Sequence, residues 1–395
     1  MKKTVLIIHP SRFNPERFEK YELQNFINKN FEIIVHDLTE LLYPKIELKF
    51  KSNKNDNYKS LNIKSYKLWK NELDKINSKY GFVLILNFTH QHISINNIKL
   101  YKVLSDNLDK SRYVNVFFSN PGVFNSYYEL SFGFYSFSKR LKHIITQNLI
   151  NITKGLIVKY AGLKSNVIVL GSKSDKNKFL FKKRKLIIEG HSWDFSNFND
   201  NYNNDIRMSD THVLLIDGAG PKFKNDDLYL NKNSAITSDK WYPNQNRLFD
   251  TIESVYKKKV IIKSHYSVRH EKNPRYFGYR NVFHSNLIDL ICNSCFIISR
   301  YSTAISYGLL FNKPIILITS NEIKQNLNLR YEQQQKLANY LNCPLINIDD
   351  VKQFKKVENI TSTEKEIKDK FLENFCTLGL GIESNSKLII QKLDN

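Results

Sequence analysis

Four places in this chain put side chains capable of acid/base or phosphate chemistry close behind a short apolar run. His265 follows Val260–Ile262, the Ser302-Thr303 pair follows Cys295–Ser299, Asp217-Gly218 follows His212–Ile216, and Glu189, His191 and Asp194 crowd the end of Leu186–Ile188. Such runs suit buried parallel strands, and in α/β sheets ligands bind beyond the carboxyl ends of the strands. Hydroxyls at a helix start, together with backbone N–H groups and the positive end of the helix dipole, make a site for a phosphate; the same pair can also serve simply as a helix cap. Gly218 and Gly220 let the backbone come close to a ligand. The segment Asp217-Gly218-Ala219-Gly220-Pro221 falls short of the GxGxxG fingerprint and no acidic residue follows in the expected place, which argues against a nicotinamide dinucleotide site.

The elements that must carry these residues alternate. From Val260 to Thr319 the pattern predicts strand, loop, helix, strand, helix (Ala304–Phe311) and strand (from Ile315), the last helix stopped by Asn312-Lys313-Pro314. The amino-terminal part repeats the theme. Strands are expected at Val5–Ile8, Glu32–Val35, Phe82–Leu86, Tyr113–Phe118, Val167–Leu170 and Leu186–Ile188, and helices at Glu16–Asn28 and Ser65–Asn77. Lys51–Lys59 reads as a surface loop, and Phe124–Ile150 as an aromatic-rich helix carrying Lys139, Arg140, Lys142 and His143. The Asn- and Asp-rich stretch Phe195–Ser209 is the expected linker. Beyond it come the strand His212–Ile216, an amphipathic helix Asn244–Val255 with Leu248, Phe249, Ile252 and Val255 on one face, and a mostly helical tail from Thr363 to Leu393.

A strand ending in His, followed by a strand ending in a Ser/Thr pair at a helix start, resembles the bacterial GT-B glycosyltransferases that use CMP-activated acidic sugars. Those sialyl-, Kdo- and related nonulosonate transferases carry an Asp-Gly or Glu-Gly motif, a His-Pro motif and a Ser/Thr pair. Here the counterparts are Asp217-Gly218, His265 followed by Tyr266 instead of Pro, and Ser302-Thr303. Trp241-Tyr242-Pro243 through Arg247, Phe249, Asp250 and Glu253, and the segment His191-Ser192-Trp193-Asp194, are similar to the capsule-cluster members of that group. His9-Pro10 superficially resembles the His-Pro motif but lies in the half of the chain away from the donor.

The resemblance implies an α/β fold of GT-B type, two Rossmann-like domains facing across a cleft. Residues 1–195 would form the acceptor domain, 210–375 the nucleotide-sugar donor domain, and 376–395 a helix packing back on the first. It implies a metal-independent transferase without cofactor that moves a nonulosonic acid-type sugar from a CMP donor to a surface polysaccharide or lipid-linked glycan. Gly218, Gly220, Lys263, His265, Arg269, Ser302 and Thr303 would hold the donor and its departing phosphate. For the acceptor's proton the candidates are His191, Asp194 and Asp217, the first two favoured for chemistry and Asp217 for ordering the donor loop. Other readings are a UDP- or GDP-sugar transferase, a teichoic-acid-type glycerol phosphate transferase, or a non-catalytic basic protein binding nucleic acid or membrane.

Composition fits a globular chain of two domains: 395 residues, 41% hydrophobic and 13% aromatic. Sixty basic against 38 acidic residues give a formal charge of +22, spread over the whole chain in an Asn-, Ile- and Lys-rich background. No nucleic-acid motif accompanies the charge, so no specific nucleic acid is expected, while attraction to an anionic membrane surface fits it. The opening MKKTVLIIHPSRFNPERF is a poor signal peptide and four cysteines fit a reducing compartment, so the expected location is cytoplasmic, peripheral at the inner membrane. Cys292-x-x-Cys295 lacks a second Cys/His pair and reads as core cysteines; His90-x-His92 lacks an acidic or Cys partner and reads as polar lining.

Overall fold

The structure is a computed structural model that describes residues 2–44, 56–89, 97–107, 112–118, 153, 156–157, 160, 167–173, 186–201, 209–218, 221, 236–265, 274–284, 286–379 and 383–394. The chain divides into two compact units. The first comprises Met1–Val123, Phe132–Asn201 and Glu373–Asn395; the second comprises Phe124–Ser131 and Tyr202–Leu372. Its alternation of short apolar runs with amphipathic helices produces the same architecture twice, a parallel sheet covered on both faces.

In the first unit the strands are β1 (Lys3–His9), β2 (Phe31–Asp37), β3 (Lys59–Asn62), β4 (Phe82–Asn87), β5 (Tyr113–Phe118), β6 (Val167–Leu170) and β7 (Ile187–Glu189). They lie parallel in the order β3-β2-β1-β4-β5-β6-β7, so the winding reverses between β1 and β4. Alternate residues of β1 serve opposite faces, as the pleat requires. Leu6 and Ile8 meet Trp69, Leu73 and Ile76 of the helix Tyr66–Lys79, while Val5 and Ile7 share a core with Phe18, Phe26, Ile389 and Ile390. Ser65 caps that helix, its hydroxyl accepting from Leu68 N at 3.2 Å. The edge strand β3 begins at Lys59, where the expected Lys51–Lys59 loop ends. Lys59 is exposed and the other three residues are only half buried, so no apolar run announced it.

Two other expectations fail here for one reason. The helix expected over Glu16–Asn28 is two helices, Pro15–Lys20 and Leu23–Ile27, broken at Glu22, whose φ is +54°. The expected linker is, as far as Asn201, the helix Trp193–Asn201. Both sites receive the returning carboxyl-terminal segment. Glu22 Oε2 accepts from Ser386 N at 3.0 Å and from Ser386 Oγ at 2.7 Å. Ser196 Oγ accepts from Asn385 N at 2.7 Å, and Asp200 Oδ1 pairs with Lys387 at 2.8 Å. Polar composition marked the stretch as loop, but its Asn, Asp and Ser side chains are the sockets for a segment almost 200 residues later.

Burial, opposed by the hydrogen bonds from Ser196 and Ser386, pushes the Glu22 carboxyl up to about 7. A raised folded-state value means that its contribution to stability is complete below the unfolded value near 4.5 and is lost as pH rises through about 7. Glu22→Gln keeps an acceptor for Ser386 without the charge. It should therefore flatten the loss of stability between pH 5 and 8.5 and gain on the order of 3 kcal/mol over the parent at the alkaline end. Chemical unfolding of both proteins across that range checks this; parallel pH profiles would refute it.

The second unit holds β8 (His212–Ile216), β9 (Val260–Lys263), β10 (Val282–Phe283), β11 (Ser294–Ser299), β12 (Ile315–Thr319) and β13 (Leu345–Asn347). All are parallel, in the order β10-β9-β8-β11-β12-β13, and the winding reverses between β8 and β11. The helix Ser238–Tyr256 starts earlier than expected and carries Pro243 in its interior, two residues after helical bonding begins at Trp241 N, so the proline removes one intrahelical hydrogen bond. It buries Trp241, Tyr242, Gln245, Leu248, Phe249 and Ile252 against one face, whereas Val255, expected on that face, is exposed. Arg280 ties this helix to the edge of the sheet, pairing with Asp250 at 2.6 Å and Glu253 at 2.9 Å. On the opposite face a Cβ at Gly308 of the helix Ile305–Leu310 would stand 2.7 Å from Ile297 Cδ1, so the glycine lets this helix pack against β11 with Ile297 undisturbed.

Candidate functional site

The reversal between β8 and β11 sets the carboxyl end of one strand beside that of the other, the place where open α/β sheets bind ligands. It brings Asp217-Gly218 next to Arg300 and the turn that holds Ser302 and Thr303. Asp217 directly follows β8, its N–H bonded to Lys263 O at 3.0 Å, and its residue is only 6% exposed. Arg300 directly follows β11. Its Nη2 donates to Gly218 O at 2.8 Å and its guanidinium lies over the Trp241 ring, 5.5 Å from the centroid. A Cβ on Gly218 would come within 3.1 Å of that guanidinium, so the glycine lets the Asp217 loop and Arg300 close up. Arg300 was not singled out from sequence as a site residue. The signal was its place as the first residue after an apolar run, the same signal that marks Asp217.

Lys263 ends β9 with its side chain buried, donating from Nζ to Ser264 O at 3.1 Å and to His284 O at 3.0 Å. The side chain thus sits at the carboxyl end of β9, held by those two carbonyls. His265, half-buried, follows Ser264 at the same strand end. Ser302 Oγ accepts from Ala304 N at 3.2 Å, and Thr303 O accepts from Ser306 Oγ at 2.7 Å, so the pair shapes the turn that opens the helix Ile305–Leu310. Gly220 and Arg269 lie outside the described residues, as do His90, His92 and the aromatic-rich segment from Phe124 to Ile150.

His191 and Asp194 belong to the first unit, and the structure gives them an occupation that sequence did not suggest. His191 is 2% exposed; its Nε2 donates to Glu383 O at 3.1 Å and its Nδ1 lies 2.7 Å from Thr377 Oγ1. Its backbone is gripped by the Asn385 amide, which accepts from His191 N and donates to His191 O, both at 2.9 Å. Ser192 N and Gly190 O complete a short ladder with Cys376 O and Leu378 N. Asp194, at the start of the helix Trp193–Asn201, pairs with Lys20 at 2.6 Å. Burial works against the Lys20 ammonium, and the neighbouring Asp194 charge outweighs it and raises the lysine's pKa. A ring with both nitrogens engaged and a carboxylate with a bound counter-ion are poorly placed to take a proton from a substrate. The segment serves to dock the returning chain.

The first unit has its own reversal, between β1 and β4. His9 stands there under an aromatic group formed by Phe13, Tyr21 and Phe88, with Arg17 Nη1 2.8 Å from its Nδ1. Asp37, at the end of β2, accepts from Phe13 N at 3.2 Å and Thr39 N at 3.0 Å. Among the described residues no group of three His, Cys, Asp or Glu could hold a metal ion, and no helix is long and apolar enough to cross a membrane. Cys292 and Cys295 are free thiols, and burial pushes Cys292 up to about 11.

No protein-family model matches the chain, and no curated protein matches it in sequence. Solved structures do match in shape. The UDP-GlcNAc 2-epimerase from Methanocaldococcus jannaschii is 13% identical over 100% of this chain and 99% of that one, with a TM-score of 0.51. A wall teichoic acid polymerase TagF soaked with CDPG is 11% identical over 100% of this chain and 88% of that one, with a TM-score of 0.54. At such identity the likeness speaks to the fold. Two parallel, doubly wound sheets in two units, matched over the whole chain by these proteins, make this a two-domain, Rossmann-like GT-B fold.

Proposed function

We propose that the chain is a glycosyltransferase that moves a nonulosonic acid-type sugar from a CMP-activated donor to a surface glycan. The observation that carries this reading is the gathering of Asp217-Gly218, Arg300 and Ser302-Thr303 at the strand reversal of the second unit, with Lys263 and His265 at the next strand end. The fold is one that GT-B transferases use. In this reading Lys263 and Arg300 face the phosphate as it departs. Asp217 accepts the proton of the acceptor hydroxyl while that oxygen bonds to the anomeric carbon and the bond from that carbon to the phosphate oxygen breaks, its electron pair leaving with CMP. His191 and Asp194 are released from catalysis to the docking of the carboxyl-terminal segment. The acceptor is a glycan or lipid-linked glycan, and the charge of +22 suits work at an anionic membrane surface.

A second reading keeps the fold and changes the donor. The likeness to a wall teichoic acid polymerase favours transfer of a glycerol phosphate, and that to a UDP-GlcNAc epimerase favours a UDP-sugar. Thermal shift against CMP, CDP, UMP, UDP, GMP and AMP separates the cytidine-nucleotide donors, sugar or glycerol phosphate alike, from a UDP-sugar. CMP or CDP should raise Tm above all others, by an amount set by RT ln(1 + [L]/Kd), about 2.7 kcal/mol of stabilisation at a hundredfold excess over Kd. A preference for UDP would favour the UDP-sugar reading. Equal shifts, or none, would remove the donor assignment.

A further inference from the structure

The last paired residues of β11 and β12 are Ser299 and Leu317, and past them the two strand ends run on without ladder bonds to each other. Gln334, from the helix Asn328–Leu341, spans that gap. Its Nε2 donates to Arg300 O at 2.6 Å and to Ile318 O at 3.1 Å, so both amide hydrogens are spent on the two strand ends. The side chain is fully buried. Its Oε1, Ser299 Oγ and Thr319 Oγ1 are buried without a hydrogen-bond partner among the described residues. Orphaned polar atoms of this kind are costly, so the amide is kept at some expense to meet the carbonyls of Arg300 and Ile318, which an apolar side chain of the same size would leave unpaired.

What the amide holds is the carbonyl of Arg300. Two bonds then fix that residue from opposite ends, Gln334 on its backbone and Gly218 O on its guanidinium, with Trp241 beneath. The next residues are the Tyr301-Ser302-Thr303 turn, and Tyr301 Oη bonds to Gln333, the neighbour of Gln334 on the same helix. We propose that Gln334 is a positioning residue for donor binding: it clamps the diverging ends of β11 and β12 so that Arg300 and the Ser302-Thr303 turn are held ready for the donor's phosphate. This rests on the donor reading above and adds a residue far from the strand-end motifs that suggested it.

The test uses the full chain and two variants, Gln334→Met, of similar length without the two donors, and Leu337→Ala, a buried residue of the same helix that touches neither strand end's carbonyl through a polar group. Calorimetric titration with CMP, Tm, and hydrogen exchange over residues 300–306 are measured on each. Gln334→Met should raise Kd about tenfold, the worth of a lost hydrogen bond and the order it imposes, and speed exchange over 300–306. Leu337→Ala should lower Tm at least as much and leave both unchanged. CMP binding by Gln334→Met equal to the parent's, or Kd rising in step with lost Tm in both variants, would overturn the clamp while leaving the donor reading intact. Absence of CMP binding by the parent chain would instead overturn the donor reading, and with it the purpose given to the clamp.

Discussion

Asp217→Asn is expected to lower kcat by ~10²- to 10⁴-fold while donor affinity stays close to that of the parent, the signature of losing a general base without losing a binding group. The argument is positional. Asp217 is the first residue past β8, at the reversal, beside a glycine whose carbonyl holds Arg300. Asn preserves the shape and keeps the loop closed, so a fall in kcat with Kd retained would report the proton and not the scaffold. Asp194→Asn in parallel should behave differently. Its carboxylate is bound to Lys20, so its loss should lower Tm and leave turnover per folded molecule near normal. The reverse pattern, with Asp194→Asn inactive and Asp217→Asn near normal, would return the chemistry to the first unit.

Gly190→Ala should destabilise the first unit by about 3–5 kcal/mol, an effect reserved for substitutions that break a buried network. A Cβ on Gly190 would stand 2.4 Å from Asn385 Oδ1 and 3.0 Å from Val169 Cγ1. The amide cannot keep its place, and with it go both bonds to the His191 backbone, leaving a buried N–H and C=O unpaired. Asn385→Ala removes the same bonds from the other partner and should cost a similar amount. Denaturant unfolding gives the size, and hydrogen exchange over residues 383–394 should show the carboxyl-terminal helix Asn385–Asp394 released in both variants. A loss below about 1 kcal/mol would mean that the segment is held by its apolar side, Ile389 and Ile390, and not by the asparagine.

Much of the architecture was legible in the chain, because short β-branched runs bounded by polar clusters encode buried parallel strands locally. The cores of β1, β4, β5, β9, β11 and β12 lie where periodicity places them, and alternation with helices predicts the two parallel sheets. The strand-end rule likewise picked out Asp217, Lys263, His265, Ser302 and Thr303 one by one. Sequence could not order the strands. That β8 lies beside β11, 82 residues from Gly218 to Arg300, follows from crossover handedness and side-chain packing, and only that adjacency turns separate strand ends into one crest. For the same reason the partners of His191 could not be read from sequence. Its neighbours in the chain suggested acid/base work, but its partners, Thr377, Glu383 and Asn385, arrive 186 to 194 residues later and occupy its ring and backbone. Glu22 and Gln334 carry no motif at all. Local sequence determined which residues stand at strand ends and which runs are buried; tertiary structure decided which of those ends meet, because hydrogen bonds to distant backbone depend on where the chain returns and not on what surrounds a residue in the chain.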